Sequence, residues 1–260
     1  MKKPYKVNTT DCNAEAVKSA GFVILAVKPQ VADAAITKEV ADAIPQNTTV
    51  LSIMGSVNLD KLHKLVPGHA VIRVMPNTPL AVGCGMTAIA PDENVSEEML
   101  DVAKAVFGSC GEIEIIAESA IEAIAAVSGC GPGYVFMMID ALADAGVNAG
   151  LPRAMAIKLA AQTFAGSGKM VLDTGLHPAV LRDQVTSPGG TTIAGIHALG
   201  KPRRKSCYLR RCTGSNAAQQ GAAGQINGRQ SKKYCVILKP AAMKNWQQNC
   251  LTLPKGASKK

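Results

Sequence analysis

Phe22-Val-Ile-Leu-Ala-Val27, closed at once by Lys28-Pro29, is the stretch from which the fold of this 260-residue chain is read. Six consecutive apolar residues without alternation leave no face of a strand for water, so the strand is buried on both sides. Val31 to Ala43 follows as a helical pattern with acids and lysines outside. The unit then recurs. Thr48-Thr-Val-Leu-Ser-Ile53 ends at Met54-Gly55, Leu59–Leu65 reads as a short helix, and Ala70-Val-Ile-Arg-Val-Met75 is broken by Pro76-Asn-Thr-Pro79. Further strands are expected at Gly85–Ala90 and Glu112–Ile116, around a helix from Ser96 to Phe107. Doubly buried strands joined by helices imply an α/β fold built on a parallel sheet.

From Ser119 the texture changes to helix only. Ser119-Ala-Ile-Glu122 is a capping-box pattern ahead of the apolar run Ile121–Val127, and Ala154–Leu172 keeps helical spacing over several turns. Gly150 before Leu151-Pro152 and Gly175 before His177-Pro178 mark the joints. Val185-Thr-Ser-Pro-Gly-Gly-Thr-Thr-Ile193 then packs a proline, two glycines and four hydroxyls just ahead of another helical pattern. Unpaired N–H groups and the dipole at a helix start favour a small anion, and the glycines let a ligand approach the backbone closely. The expected order is a sheet domain over 1–117, a helical domain over 118–199 and a tail over 200–260, with ligand at the seam of the first two.

Charge separates the tail from the rest. Residues 1–200 hold 14 Lys/Arg and all 19 Asp/Glu, a net −5, whereas 201–260 hold the other 14 Lys/Arg and no acid, a net +14. The tail shows neither a strand nor a helix period, so it is expected to be disordered. Any nucleic-acid argument therefore concerns the tail alone, and no spaced aromatic–basic repeat supports one. No run of 18 apolar residues is present, which argues against a membrane span, and Met1-Lys-Lys-Pro-Tyr-Lys6 does not open a signal peptide. The eight cysteines have no paired spacing, so reduced thiols and a cytoplasmic location are expected. His63 and His69 read as surface residues around a short helix, His177 as a turn residue and His197 as a helix residue. No metal site is expected from their spacing.

Six segments in order carry a resemblance: Ala26-Val-Lys-Pro29, Arg73-Val-Met-Pro-Asn-Thr-Pro79, Ser128-Gly-Cys-Gly-Pro-Gly-Tyr134, Asp140-Ala-Leu-Ala-Asp-Ala-Gly-Val147, Gly150-Leu-Pro-Arg153 and Val185–Ile193. Over about residues 8–199 the chain resembles pyrroline-5-carboxylate reductase. The resemblance implies an NADPH- or NADH-dependent oxidoreductase that reduces the cyclic imine carboxylate to proline. It implies a Rossmann-type sheet domain and a helical domain that forms a homodimer or higher homo-oligomer; from the composition, no membrane partner is expected and nucleic acid is not a favoured one. By position, Asn13 would touch the adenosine side of the cofactor, Ala26, Val27, Lys28 and Pro29 would border it, and Ile53, Met54 and Gly55 would lie near the nicotinamide. The N–H groups of Gly190, Thr191 and Thr192 would hold the substrate carboxylate, and the Thr192 hydroxyl would meet the ring nitrogen. Ser187 would support the turn or substrate, Gln184 would contact cofactor or ligand, and Gly129, Gly131 and Gly133 would let a helix start approach the nicotinamide.

The chain departs from that pattern twice. The family opens with a strand and a glycine-rich G-x-G-x-x-G turn that cradles the pyrophosphate, and no such strand–turn–helix unit occurs here, so the expected sheet is incomplete. After Leu199 the family's apolar helices give way to Gly200-Lys-Pro-Arg-Arg-Lys205, as if read in another frame. Both departures predict reduced turnover for this chain; an inactive remnant whose basic tail binds nucleic acid or acidic partners is the alternative. A related hydroxyacid dehydrogenase would carry a Lys and, one turn on, an Asn on the helix after the glycines. Val135 and Ile139 stand there instead.

Overall fold

The computed structural model describes residues 8–199 and, for the backbone alone, 235–238. Its elements run α1 (Asn13–Val17), β1 (Phe22–Leu25), α2 (Ala32–Ala35), α3 (Lys38–Asp42), β2 (Thr49–Ser52), α4 (Leu59–Leu65), β3 (Val71–Met75), β4 (Gly85–Pro91), α5 (Glu97–Gly108), β5 (Gly111–Ile115), α6 (Ile121–Ile124), α7 (Gly131–Asn148), α8 (Arg153–Thr174), α9 (Pro178–Gln184), α10 (Thr191–Leu199) and β6 (Cys235–Leu238). They form two compact units that divide after Gly129, with β6 belonging to the first.

The first unit holds a sheet ordered β5-β4-β3-β2-β1-β6. β1 pairs parallel with β2, and β2 with β3, as the doubly apolar strands require. Alternate residues feed opposite cores. Val23, Leu25 and Val50 join one apolar cluster, and Phe22, Ile24 and Leu51 the other. β4 departs from the parallel expectation by running antiparallel to β3. The link from Met75 to Gly85 is a single 3-10 turn over Thr78–Val82 ended by Gly83 at φ 73°, too short for a helical crossover.

β6 is the second departure. Cys235–Leu238 pairs antiparallel with β1, Phe22 opposite Leu238 and Leu25 opposite Cys235. Four residues are too few to display a period, and the pairing is set by the open backbone groups of β1. The rest of the expected structureless tail lies outside the described residues.

In the second unit α7 and α8 pack through Ala143, Ala156 and Ala160, flanked by Ile139, Val147 and Leu151. A Cβ on Gly146 would stand 3.1 Å from that of Ala156, so the helices meet backbone to backbone there. Gly150, at φ 95°, ends α7, and Leu151 N–H donates to Gly146 O at 3.0 Å. Few side chains are buried in this unit, and Phe136, Met137, Ile157, Leu159, Met170 and Leu172 stay exposed.

Two local expectations change. The unit boundary falls after Gly129 rather than at 117, because Glu118 and Glu122 bond to Arg73 of the sheet. The Ser119–Glu122 capping box is consequently not made: a 3-10 turn over Glu118–Ala120 leads into α6 without a side-chain cap. A π-helical turn, Ala125–Gly129, then follows α6. Glu118–Asn148 is thus one helical stretch of 31 residues, long and apolar enough to cross a membrane by length and composition.

Candidate active site

Parallel strands end on the same side of a sheet, and ligands of doubly wound sheets bind at those carboxyl ends. Leu25 stands opposite Ser52, and Ile53 N–H donates to Leu25 O at 3.1 Å, so Ala26–Pro29 and Ile53–Gly55 leave the sheet side by side. Ala26, Val27, Pro29, Ile53 and Gly55 are half-buried there, and Lys28 is exposed at the head of a 3-10 turn, Pro29–Val31. Met54 differs from expectation. Strand alternation sends its side chain beneath the sheet with Val50, where it is 1% exposed, so only its backbone faces the site. Asn13 is half-buried on α1 and donates one amide proton to Ala35 O at 3.1 Å, which ties α1 to the end of α2.

Arg73 organises this edge, and the sequence reading did not single it out. A cation in a doubly buried strand needs partners. Its guanidinium donates to Gly55 O at 2.7 Å, Glu118 Oε1 at 3.0 Å and Glu122 Oε1 at 2.8 Å. Glu118 Oε1 also accepts from Leu59 N–H at 2.6 Å. The loop after β2, the start of α4 and the helix from 118 are therefore fixed through one planar fork. Next along the chain, Asn77 donates to Ser128 O at 3.1 Å and accepts from Met86 N–H at 2.9 Å.

Gly55 has ordinary backbone, and a Cβ on it would rest 3.7 Å from Met75 Sδ. Gly55→Ala therefore leaves the melting temperature within about 2 °C of the parent, the change expected of a tolerated substitution. If the loop borders a nicotinamide, the same variant raises the KM for NAD(P)H about tenfold, ~1.4 kcal/mol. An unchanged KM counts against the loop.

In the second unit, Gly190 N–H donates to Ser187 O at 3.0 Å and Gly189 has φ 69°. Ser187-Pro188-Gly189-Gly190 is thus a tight turn with proline and a left-handed glycine at its two centres, the pattern of type II. Ala194 N–H returns to Gly190 O at 3.3 Å, which makes Gly190 the N-cap of α10. One expectation is corrected here. The Gly190 amide is consumed by the turn, so it offers no donor to an anion. Among the described residues no acceptor meets the N–H groups of Thr191, Thr192 and Ile193, the first-turn donors a helix leaves unpaired. Thr191, Thr192, Ser187 and Gln184, the last residue of α9, are exposed. Cβ atoms on Gly131 or Gly133 would meet open space, whereas one on Gly129 would lie 2.8 Å from Met75 Cε. Gly189→Ala forces alanine into the left-handed region at a cost of about 1 kcal/mol, read as a lower urea midpoint and a raised substrate KM.

Residues 118–219 match a family described as pyrroline-5-carboxylate reductase dimerisation, and residues 1–56 one described as NADP oxidoreductase, coenzyme F420-dependent. The pyrroline-5-carboxylate reductase of Synechocystis sp. is 47% identical over 80% of this chain and 78% of its own. That of Arabidopsis thaliana is 43% identical over 76% of this chain and 71% of its own. The chain belongs to the pyrroline-5-carboxylate reductase family. The crystal structure of the Plasmodium falciparum pyrroline carboxylate reductase with NADP bound superposes with a TM-score of 0.78 at 32% identity, covering 86% of this chain and 85% of that one. The Coxiella burnetii reductase gives 0.75 at 31%, covering 85% and 82%. Pyrroline-5-carboxylate reductases are oxidoreductases that reduce the imine acid to proline with NAD(P)H. Their Rossmann-like sheet followed by helices is the architecture found here.

Proposed function

We propose that this chain reduces 1-pyrroline-5-carboxylate to L-proline, with the substrate carboxylate held by the N–H groups of Thr191, Thr192 and Ile193. The observation that carries this reading is the Ser187–Gly190 turn, which satisfies its own amide and leaves the next three without a described acceptor. Those donors point along the axis of α10, whose dipole adds to their attraction for a carboxylate. The Thr192 hydroxyl hydrogen-bonds the ring nitrogen, orients the C=N bond and relays a proton from solvent to that nitrogen as the amine forms. It is a positioning and relay group rather than a strong acid, because an unperturbed hydroxyl does not protonate an imine. Ser187 holds the turn through its carbonyl, and Gln184 contacts substrate or cofactor from the end of α9.

The residues at the sheet edge suit the nicotinamide half of a dinucleotide. Two adjacent parallel strand ends offer small or apolar groups at Ala26, Val27, Ile53 and Gly55, with backbone groups between them. NAD(P)H bound there supplies the hydride. Lys28 stays in solvent, where its charge favours the phosphates, and Asn13 serves the adenosine side with its remaining amide groups.

The exposed apolar side chains of α7 and α8 form the homodimer face, since so large a display in water needs cover. The reaction is assigned to the cytoplasm. Amide NMR during titration with L-proline tests the carboxylate site. The resonances of Thr191–Ile193 are expected to move with the product. Turnover accompanied by no response from any of the three rejects the assignment.

A further inference from the structure

At the opposite end of the sheet, where β2 and β3 begin and β4 ends, lies a cavity of about 590 Å³ lined by Asn47, His63, His69, Asn94, Ser96 and Met99 among others. His69, expected on the surface, is 8% exposed, because the loop from α4 to β3 folds it against Thr48. Its Nδ1 lies 3.2 Å from Thr48 O. A carbonyl only accepts, so Nδ1 carries the proton, and in the neutral ring Nε2 keeps its lone pair. His63, in the last turn of α4, has Nε2 3.3 Å from Asp92 Oδ2. Asp92 is itself fixed, with Oδ2 accepting from Val71 N–H and Oδ1 from Asn94 N–H, both at 2.8 Å. In the neutral ring the carboxylate holds the His63 proton on Nε2 and leaves the Nδ1 lone pair to accept.

An imidazole backed on one nitrogen by a carbonyl or carboxylate is the arrangement by which proteins present the other nitrogen to a metal. We propose that His63 and His69 together form a two-nitrogen site for a borderline divalent cation of the Zn²⁺ or Ni²⁺ class. Imidazole suits those ions, and magnesium or calcium would want oxygen. Among the described residues no lysine or arginine lines the cavity to repel a cation. Glu97 and Glu98 in the first turn of α5 offset the positive end of that helix. Among the described residues no third His, Cys, Asp or Glu completes the set, so the remaining positions fall to water, a neutral oxygen such as that of Asn94, or a small exogenous ligand. The cavity is at the far end of the sheet from Ala26–Pro29, and the site stands independently of the reductase reading.

The chain has four histidines, which makes the test residue-specific. Cysteine thiols are alkylated first, so that sulfur does not compete, and long-range proton–nitrogen spectra of the rings are followed while Zn²⁺ is added. His69 is expected to start as the Nδ1–H tautomer, and His63 and His69 to shift together while His177 and His197 stay. His63→Ala weakens Zn²⁺ binding at least about tenfold without moving the thermal melt, its side chain being 39% exposed. Equal response of all four rings, an Nε2–H tautomer at His69, or parental affinity in His63→Ala overturns the proposal.

Discussion

Arg73→Met lowers the stability of this chain by about 3 kcal/mol. Methionine matches the length and most of the volume of the arginine stem, so packing changes little and the loss is electrostatic. Arg73 is 4% exposed and donates to one carbonyl and two carboxylates. Without it Gly55 O loses a donor, and Glu118 and Glu122 face each other with no cation between them. Removing one partner of a buried pair costs about 3–5 kcal/mol. The low end applies because the two carboxylates keep 30% and 39% of their exposure and water recovers part of the loss. Arg73→Lys restores only part of it, since a single ammonium does not reach three acceptors as a planar fork does. Urea denaturation of the three proteins measures the order parent, lysine, methionine. A midpoint for Arg73→Met equal to the parent's excludes the network as a stabilising element. Because Gly55 O is one of the three acceptors, surviving Arg73→Met protein also has a raised KM for NAD(P)H.

Thr192→Ala lowers kcat about thirtyfold, ~2 kcal/mol, the scale of one hydrogen bond to a charged group that strengthens as the ring nitrogen changes charge. Thr192 is exposed at the second position of α10, so the fold gives no reason for the loss. Three comparisons separate a chemical role from a structural one. Thr192→Ser retains the hydroxyl and recovers most of kcat. Thr191→Ala keeps its backbone N–H and changes kcat by less than about threefold, roughly the ±0.5 kcal/mol of a neutral surface change. KM for the imine acid changes little in all three, because the amides proposed to hold the carboxylate are backbone groups. A Thr192→Ala enzyme with parental kcat removes the hydroxyl from the mechanism and leaves the amides untouched.

Some of this could be read from the chain because the information was local. The strands around Phe22–Leu25, Thr49–Ser52 and Val71–Met75 announce themselves by continuous apolar composition, and their burial on both faces follows. The turn before α10 was equally legible, because proline followed by glycine admits few backbone paths. Other features depend on partners remote in sequence. Arg73 finds Glu118 and Glu122 across 45 and 49 residues, and its demand for them overrides the capping pattern that Ser119 and Glu122 display. Asp92 reaches His63 only because β4 turns back antiparallel beside β3 and brings its end to the start of β3.

The sequence by itself determined the α/β-then-helical order, the six matching segments of the reductase family and the tight proline–glycine turn at Ser187–Gly190 ahead of α10. Each depends on side-chain type and spacing within a few residues, where backbone sterics and burial act directly. Only the tertiary structure decided that Met54 turns inward, that the Gly190 amide is spent within its own turn, that β6 lies against β1 and that His69 is buried against Thr48 O. Those outcomes rest on which face a residue presents and which donor finds which acceptor, and these are settled when distant segments compete for the same partner.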